Sequence, residues 1–170
     1  GQIQKDRVDK DAPISWAEYK SMTFTHMVTN EIVRLANIVP GIFRIVLKDV
    51  EIEGYTIPAG WIFVVCPSSI HLDPNKYENP LTFNPWRWKG EELHSSSKEF
   101  MAFGGGKRMC AGADFSKVQT SIFLYYLLKN YSWNVTNEGN IIRQPGLIFK
   151  KGLCIQIREK EIENNQEMTV

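Results

Sequence analysis

The stretch FGGGKRMCAG, residues 103–112, decides how this chain is interpreted. It places four glycines, two cations and a cysteine within ten positions, more special residues than a connecting loop needs. A glycine run that ends in Lys107 suggests a phosphate-binding loop, whose backbone N–H groups and ammonium would hold a nucleotide. That pattern needs a glycine where the chain has Met101, and Ser or Thr where it has Arg108. Another chemistry must therefore explain Cys110.

The composition allows one globular domain but selects no partner. The chain has 170 residues, of which 43% are apolar, and a formal net charge of +1. No strongly basic stretch argues for nucleic acid. The longest apolar run, IFLYYLL at residues 122–128, is far shorter than the ~20 residues that span a bilayer. The sequence therefore predicts no transmembrane helix in this segment.

The three cysteines, Cys66, Cys110 and Cys154, form no close pair and no C-x-x-C spacing. Neither a disulfide framework nor a zinc site is indicated, and a reducing compartment fits best. The chain opens on glycine and a polar stretch that is more typical of the inside of a longer chain than of a signal peptide. We therefore expect a fragment, with residues 1–13 and 159–170 flexible.

The first predicted helix begins after the polar opening. Ser15 followed by Glu18 forms a capping box, so a helix should begin there and run to about Ala36, before Pro40 ends it. Its apolar residues recur at helical spacing and predict a buried stripe, which consists of Trp16, Tyr19, Met22, Thr23, Met27 and Val33.

The middle of the chain predicts sheet pieces and coil. Residues 44–65 have the period of short strands, with a turn at Glu53 and Gly54. The run Trp61–Val65 shows no alternation, which predicts a strand buried on both faces. Residues 67–100 are rich in proline and aromatic side chains, a pattern typical of a long loop packed by its own side chains.

After the glycine loop, the pattern predicts an amphipathic helix from about Ala111 to Lys129, with a stripe of Phe115, Val118, Ile122, Tyr125 and Leu128. The tail from residue 131 to residue 157 offers further short strands. The order of elements gives an α+β fold class. It has too few helices to enclose a cofactor by themselves.

Cys110 carries the chemistry of the loop. It precedes the predicted helix and follows Lys107 and Arg108, so the helix dipole and both cations favour its thiolate form, which is either a nucleophile or a metal ligand. A nucleophile needs a histidine base, and no sequence cue brings one close from among His26, His71 and His94. The ligand interpretation explains more, because the glycines let the backbone approach a bulky flat group and Arg108 can pair with a carboxylate on it.

Five positions of the loop, Phe103, Gly106, Arg108, Cys110 and Gly112, match F-x-x-G-x-R-x-C-x-G. This is the haem-thiolate signature of the cytochrome P-450 monooxygenases, and the chain resembles that family. The chance of such a match in ~170 residues of ordinary composition is on the order of one in ten thousand. A buried free cysteine in a glycine turn is the structural alternative.

Two further motifs carry the same resemblance. Glu31 and Arg34 reproduce the E-x-x-R motif on one helix face. The stretch FNPWRW, residues 83–88, supplies Arg87 in the downstream coil, where the family has an arginine that locks this helix. The resemblance implies that the three residues form a buried charge network that fixes the coil carrying the cysteine. Removing one partner would strand the other charges, so we expect loss of haem incorporation.

The resemblance also implies roles around the cofactor. Cys110 would be the axial ligand of the haem iron, Phe103 would shield its sulfur, and Gly106 and Gly112 would complete the loop. Arg44 and Arg108 match positions that hold haem propionates, although a surface strand arginine is the alternative for Arg44. Apolar residues of two segments suit a large hydrophobic substrate, and ordinary core packing explains them equally well; they are Ile38, Val39, Ile42, Leu147 and Ile148.

By this resemblance, the chain is the C-terminal third of the cytochrome P-450 fold. The intact protein would be a haem b monooxygenase that inserts one atom of dioxygen into a hydrophobic substrate, with electrons from NADPH through a flavoprotein reductase. The segments SWAEYKSMTFT, residues 15–25, and NPWRW, residues 84–88, resemble the corresponding sequences of plant members that oxidise sterols and triterpenoids. The implied location is the cytosolic face of the endoplasmic reticulum membrane, reached through an N-terminal anchor.

Upstream parts of the family pattern, including the helix that activates oxygen, have no counterpart in this sequence, so we expect these residues alone to be inactive. Two alternatives stay open. The chain could be a haem-binding fragment or pseudoenzyme without catalysis, or a nucleotide-binding module that uses GGGK, residues 104–107.

Overall fold

The structure is a computed structural model, and it describes residues 3, 7, 9, 12–91, 99–143 and 147–160. Much of the two terminal segments expected to be flexible lies outside these residues. In chain order, the elements are helices α1 (Trp16–Ser21) and α2 (Thr23–Ala36), strands β1 (Ile42–Ile45), β2 (Val50–Ile52), β3 (Tyr55–Ile57) and β4 (Ile62–Val65), helix α3 (Pro67–His71), 3₁₀ turns at Pro85–Trp88 and Gly106–Arg108, helix α4 (Ala113–Asn130), and strands β5 (Tyr131–Asn137), β6 (Ile141–Arg143), β7 (Leu147–Phe149) and β8 (Cys154–Glu159). The predicted α+β class is confirmed.

The capping box at the start of α1 is present as predicted. The Ser15 N–H donates to the Glu18 carboxylate at 2.8 Å, and the Glu18 N–H donates to the Ser15 hydroxyl at 3.3 Å. The prediction of one continuous helix to Ala36 is wrong. The helix is interrupted at Met22, whose ψ of 49° is not helical, and α2 begins at the next residue.

The buried face of α2 is polar rather than apolar. Its buried residues are Thr29, Asn30, Glu31 and Arg34. Within the predicted apolar stripe, Met22 is buried, but Trp16 is 61% exposed. Met27 and Val33 of the predicted stripe are partly buried against the aromatic cluster that includes Trp88, so the stripe is confirmed in part. The fully buried face is polar because the Asn84 N–H and the Trp88 indole donate to Glu31.

The described strands form two-stranded antiparallel sheets, with β1 paired to β4, β2 to β3, β5 to β8 and β6 to β7. The predicted turn between β2 and β3 is confirmed, and Glu53 and Gly54 both have positive φ, 50° and 83°, as a tight hairpin turn requires. The prediction that residues 61–65 are buried on both faces is wrong. Ile62 is 64% exposed, and of the strand only Val65 is partly buried.

The core of the described residues is an aromatic cluster in the coil between α3 and the glycine loop. It consists of Tyr77, Trp88 and Phe100. The Trp88 ring lies 5.9 Å from the ring of Tyr77 and 5.3 Å from that of Phe100, both edge to face, a favourable arrangement for aromatic pairs. The prediction that residues 67–100 are a loop throughout is wrong at Pro67–His71, which form α3, and at Pro85–Trp88, which form a 3₁₀ turn. The prediction that the segment packs on its own side chains is confirmed for its described residues.

Helix α4 follows the cysteine loop within two residues of its predicted start. Its predicted amphipathic stripe is wrong, because Phe115 is 71% and Leu128 56% exposed, and its buried residues are Ala113 and Ser121. Among the residues that the structure describes, no helix combines the length and the apolar character that crossing a membrane requires.

Candidate functional site

The cysteine loop, residues 103–112, folds back on itself. The Cys110 N–H donates to the Phe103 carbonyl at 2.9 Å, and the Met109 N–H donates to the Gly106 carbonyl at 3.1 Å. Gly104 and Gly106 have φ of 78° and 64°, which glycine adopts without the strain that a side chain would add. The glycines therefore allow the bends that bring Cys110 back to Phe103.

The Cys110 thiol lies at the surface, at the start of α4. The side chain is exposed, and the Cys110 carbonyl accepts a hydrogen bond from the N–H of Ala113, the first residue of α4, at 3.3 Å. A Cβ built on Gly112 would lie 3.9 Å from the sulfur, an ordinary van der Waals contact. The thiol is thus open to an external group and lies close to the N-terminus of α4.

The loop fits a flat, iron-bearing group with carboxylates. Such a group needs an accessible thiolate, close approach of the backbone and nearby cations. At Gly106, no described residue other than its two chain neighbours has a heavy atom within 4 Å of the position a Cβ would take, and Lys107 and Arg108 are exposed. The donor set of one thiolate and a guanidinium is therefore compatible with haem.

The structure brings one of the predicted pocket residues to the loop. A Cβ on Gly104 would lie 3.8 Å from Cδ1 of Ile42, at the start of β1. Ile38 and Val39, which precede β1, are 65% and 52% exposed. The remaining two candidates, Leu147 and Ile148, lie on β7, and their described pairing is with β6.

Arg44 lies on the exposed side of β1, paired with Phe63 of β4. Its Nη1 donates to the carbonyl of the neighbouring Phe43 at 2.8 Å. This contact lies within its own strand. The described contacts therefore do not join the two predicted propionate-binding residues, Arg44 and Arg108.

Glu31 is the centre of a buried network, and its side chain is fully inaccessible. Its Oε1 accepts hydrogen bonds from Arg34 Nη2 at 2.8 Å, from the backbone N–H of Asn84 at 3.0 Å and from Arg87 Nε at 3.1 Å. Its Oε2 accepts from Arg34 Nε at 2.9 Å and from the indole N–H of Trp88 at 3.0 Å. The structure therefore brings together the three residues that the E-x-x-R resemblance selected, with two donors besides.

The electrostatics of this network keep Glu31 ionised. Burial by itself raises the pKa of the Glu31 carboxyl, but hydrogen bonds from Arg34 and from the Asn84 amide outweigh it, so the net pKa lies below the ordinary value. Arg34 is fully buried as well, and its third donor, Nη1, bonds to the His71 carbonyl at 2.6 Å. Arg87 closes the outer side by donating to the Glu78 carbonyl at 3.1 Å.

The sequence analysis missed several residues of this network. Asn84 and Trp88 stand beside Arg87 in FNPWRW, and Asn84 also caps its own 3₁₀ turn by accepting from the Trp86 N–H at 3.1 Å. The high aromatic and proline content of FNPWRW is the feature of the sequence that could have indicated their role. His71 had no such signal, because a single histidine in a stretch that the sequence predicts as coil carries no periodicity.

Aromatic and cationic contacts connect the network to the cysteine loop. Phe100 lies between Trp88 and His71, with ring centroids 5.3 Å and 5.7 Å away. The Lys117 ammonium of α4 lies 5.9 Å from the Phe100 ring and 5.7 Å from the Phe103 ring. Burial lowers the pKa of Lys117. The first residue of the cysteine loop is thus held against α4 through cation–π contact.

Comparison with known proteins identifies the class. The family model described as Cytochrome P-450 matches residues 3–157. The chain therefore belongs to the cytochrome P-450 family, and the predicted family is confirmed. In a solved structure described as retinoic acid bound cyanobacterial CYP120A1, a chain with 26% sequence identity superimposes with a TM-score of 0.77, over 86% of this chain and 35% of that one. The predicted fold is confirmed with it.

The curated relatives are plant proteins. Cytochrome P-450 87A3 of Oryza sativa subsp. japonica is 57% identical over 93% of this chain and 31% of its own length. Cucurbitadienol 11-hydroxylase of Siraitia grosvenorii is 46% identical over 94% of this chain and 34% of its own length. Beta-amyrin 16-alpha-hydroxylase CYP87D16 of Maesa lanceolata is 43% identical over 93% of this chain and 33% of its own length. The chain spans about a third of the length of the curated relatives it matches.

Proposed function

We propose that this chain supplies the haem-binding part of a cytochrome P-450 monooxygenase, in which the Cys110 thiolate would hold the haem iron. The observation that carries the proposal is the exposed Cys110 thiol at the start of α4, in a loop that matches the haem-thiolate signature of a family to which the chain belongs. When bound, haem b supplies the activation of dioxygen for insertion of one oxygen atom into a C–H bond.

The residues of this chain bind, orient and protect that group. Cys110 provides the thiolate, and Gly106 and Gly112 leave room for the backbone to approach the macrocycle. Arg108, and Arg44 from β1, would pair with its carboxylates. Phe103, partly buried and in contact with Lys117, would shield the sulfur from water once haem is bound. These roles follow from the motif positions together with the exposure of the loop.

The network around Glu31 acts at a distance, by holding the coil from which the cysteine loop continues. The fully buried Glu31 carboxylate accepts five hydrogen bonds, and those from Asn84 and Trp88 fix these two residues relative to α2. Trp88 in turn packs on Phe100, three residues before the loop. Rigidity of the coil is therefore the contribution of Glu31, Arg34 and Arg87 to the binding of haem.

The substrate we propose is a large hydrophobic sterol or triterpenoid. Cucurbitadienol and beta-amyrin, which appear in the names of two relatives, are both triterpenoids. The apolar Ile38, Val39, Ile42, Leu147 and Ile148 suit such a molecule. The electrons would come from NADPH through a flavoprotein reductase. The complete protein would work at the cytosolic face of the endoplasmic reticulum membrane.

The reduced carbon monoxide difference spectrum of the complete protein tests the ligand assignment. We expect a strongly red-shifted Soret band in the wild type that Cys110→Ala abolishes. Cys66→Ala and Cys154→Ala are matched controls, because both thiols are exposed and uncrosslinked as Cys110 is. Loss of the band in the controls, or its survival in Cys110→Ala, would remove Cys110 as the ligand.

A haem-binding protein without catalysis is the alternative, and it predicts the same spectrum. Substrate-dependent consumption of dioxygen and NADPH, measured with a plant P-450 reductase and a panel of triterpenoids, separates the two. Turnover supports the monooxygenase, whereas an intact red-shifted band without turnover for any member of the panel supports the haem-binding alternative.

A further inference from the structure

His71 is a buried histidine that the proposed chemistry does not use. It is the last residue of α3, its side chain is fully inaccessible, and its carbonyl and both ring nitrogens are engaged. Its carbonyl accepts from Arg34 Nη1 at 2.6 Å. Its ring contacts Asn37 through Nδ1 and the backbone N–H of Met101 through Nε2, both at 2.9 Å.

The partners of His71 come from the two parts of the chain that the cysteine loop depends on. Arg34 and Asn37 belong to α2 and its C-cap, and Asn37 holds the left-handed conformation with φ of 42°. Met101 stands two residues before Phe103, and its own carbonyl accepts from the Gly104 N–H at 2.9 Å. One imidazole therefore joins the end of the E-x-x-R helix to the start of the cysteine loop.

The bonds determine a single protonation state of the ring. A backbone N–H can only donate, so Nε2 of His71 accepts from Met101 and carries no proton. The proton of the neutral ring is then on Nδ1, which donates to Oδ1 of Asn37. The guanidinium of Arg34, on α2, acts electrostatically on the ring, and it is paired with Glu31 of the same helix. The guanidinium disfavours a second positive charge, which agrees with a neutral ring.

We propose that His71 is a positioning residue that holds the Met101 amide and thereby fixes the start of the cysteine loop relative to α2. The proposal deepens the proposed function, on which its consequence for haem rests, because it names the element that connects the Glu31 network to the segment carrying Cys110. Burial supports it, since removing the fully buried imidazole leaves the Met101 N–H and Oδ1 of Asn37 without their hydrogen-bond partner.

Three substitutions separate the two ring contacts. Gln places its amide oxygen near the position of Nε2 and can accept from Met101. Asn reaches only the position of Nδ1 and can contact Asn37 alone. Phe keeps the ring and removes both bonds. If His71 fixes the loop through Met101, then His71→Gln should resemble the wild type, and His71→Asn should resemble His71→Phe.

Two readouts in the complete haem-loaded protein test this. The first is hydrogen exchange of the backbone amides in residues 99–110, where we expect exchange at Met101 and Gly104 to be about tenfold faster in His71→Asn and His71→Phe, the loss of one hydrogen bond. The second is the rate at which the red-shifted Soret band of the carbon monoxide complex is lost on mild heating. This rate should rise in the same two variants and stay near the wild-type value in His71→Gln.

Each outcome decides the proposal. Unchanged exchange at Met101 in a folded His71→Phe protein overturns it, and so does faster exchange with an unchanged rate of band loss. If the wild type shows no red-shifted band, the proposed function fails, while the exchange data still decide whether His71 holds the loop. Should the variants not fold, the nitrogen-15 shifts of His71 in the wild type replace them. The Nδ1–H tautomer supports the proposal, and the Nε2–H tautomer overturns it.

Discussion

Replacing Glu31 with glutamine tests the network at its centre. The two oxygens of Glu31 accept five hydrogen bonds, and every partner is a donor. A glutamine amide keeps one oxygen acceptor and replaces the other oxygen with an NH₂ group, which can only donate. If it replaces Oε2, its NH₂ group faces Arg34 Nε and the indole N–H of Trp88, which lie 2.9 Å and 3.0 Å from that oxygen. The guanidinium of Arg34 also loses its counter-charge in a fully buried position.

The expected cost follows from these two effects. Breaking a buried ion pair by removing one partner costs about 3–5 kcal/mol, because the remaining charge stays uncompensated. The two opposed donors add to this, so we expect Glu31→Gln to lie at the upper end of that range. Glu31→Asp keeps the charge but shortens the side chain, and should cost less than the glutamine variant.

The assay is urea unfolding of the complete protein, followed by tryptophan fluorescence, because Trp88 donates directly to Glu31. Glu51→Gln is the matched control. Glu51 is exposed on β2 and accepts from the Thr56 hydroxyl, so its loss should change the free energy of unfolding by less than about 0.5 kcal/mol. A cost below about 1 kcal/mol for Glu31→Gln would refute the reasoning, since it would mean that water or another anion compensates Arg34.

Three further results are expected. Arg87→Lys should lower the free energy of unfolding by about 1–3 kcal/mol in the same urea assay, because one ammonium cannot reach both the Glu31 carboxylate and the Glu78 carbonyl. The control Arg158→Lys, at an exposed position, should leave that free energy unchanged, and equal losses in the two variants would contradict this reasoning. Gly106→Ala should cost about 1–2 kcal/mol from its positive φ alone, since no described residue other than its two chain neighbours has a heavy atom within 4 Å of a Cβ there, and Gly112→Ala, at φ of −95°, should cost less in the same assay. Acid should destabilise the protein, because burial first, and then Arg34, lower the pKa of His71 from 6.5 to about 4. Between these two pH values the unfolded chain binds a proton that the folded chain does not, so the free energy of unfolding falls as the pH drops, by up to ~3 kcal/mol. Urea titrations at several pH values should show this slope, and a His71→Gln variant with an equal slope would assign it to other groups.

The features that the sequence predicted correctly are local. The capping box at Ser15, the turn at Glu53 and Gly54, and the helix after Cys110 each depend on residues within a few positions of one another. The haem-thiolate motif is equally local, because its glycines and cysteine lie on one loop. Short-range signals of this kind keep their meaning whatever packs around them.

The features that failed depend on distant partners. The buried face of α2 is polar because its partners, Asn84 and Trp88, come from 53 and 57 residues further along the chain than Glu31. Periodicity along one helix cannot show that its polar residues will be buried by hydrogen-bond donors from a distant part of the chain. The strand β4 failed for a related reason, since an apolar run predicts burial without saying whether a neighbour covers it.

The polar nature of the fully buried side chains explains why the position of the cysteine loop depends on the Glu31 network. Among the described residues, the largest fully buried side chains include Glu31, Arg34 and His71, with Phe100 beside them. An apolar core tolerates substitution by shifting neighbours a little, whereas in a buried polar network the loss of one member leaves its partners without hydrogen bonds. Losing one member therefore releases the others together. Since His71 joins this network to the Met101 amide, the position of the cysteine loop should be lost cooperatively rather than by degrees.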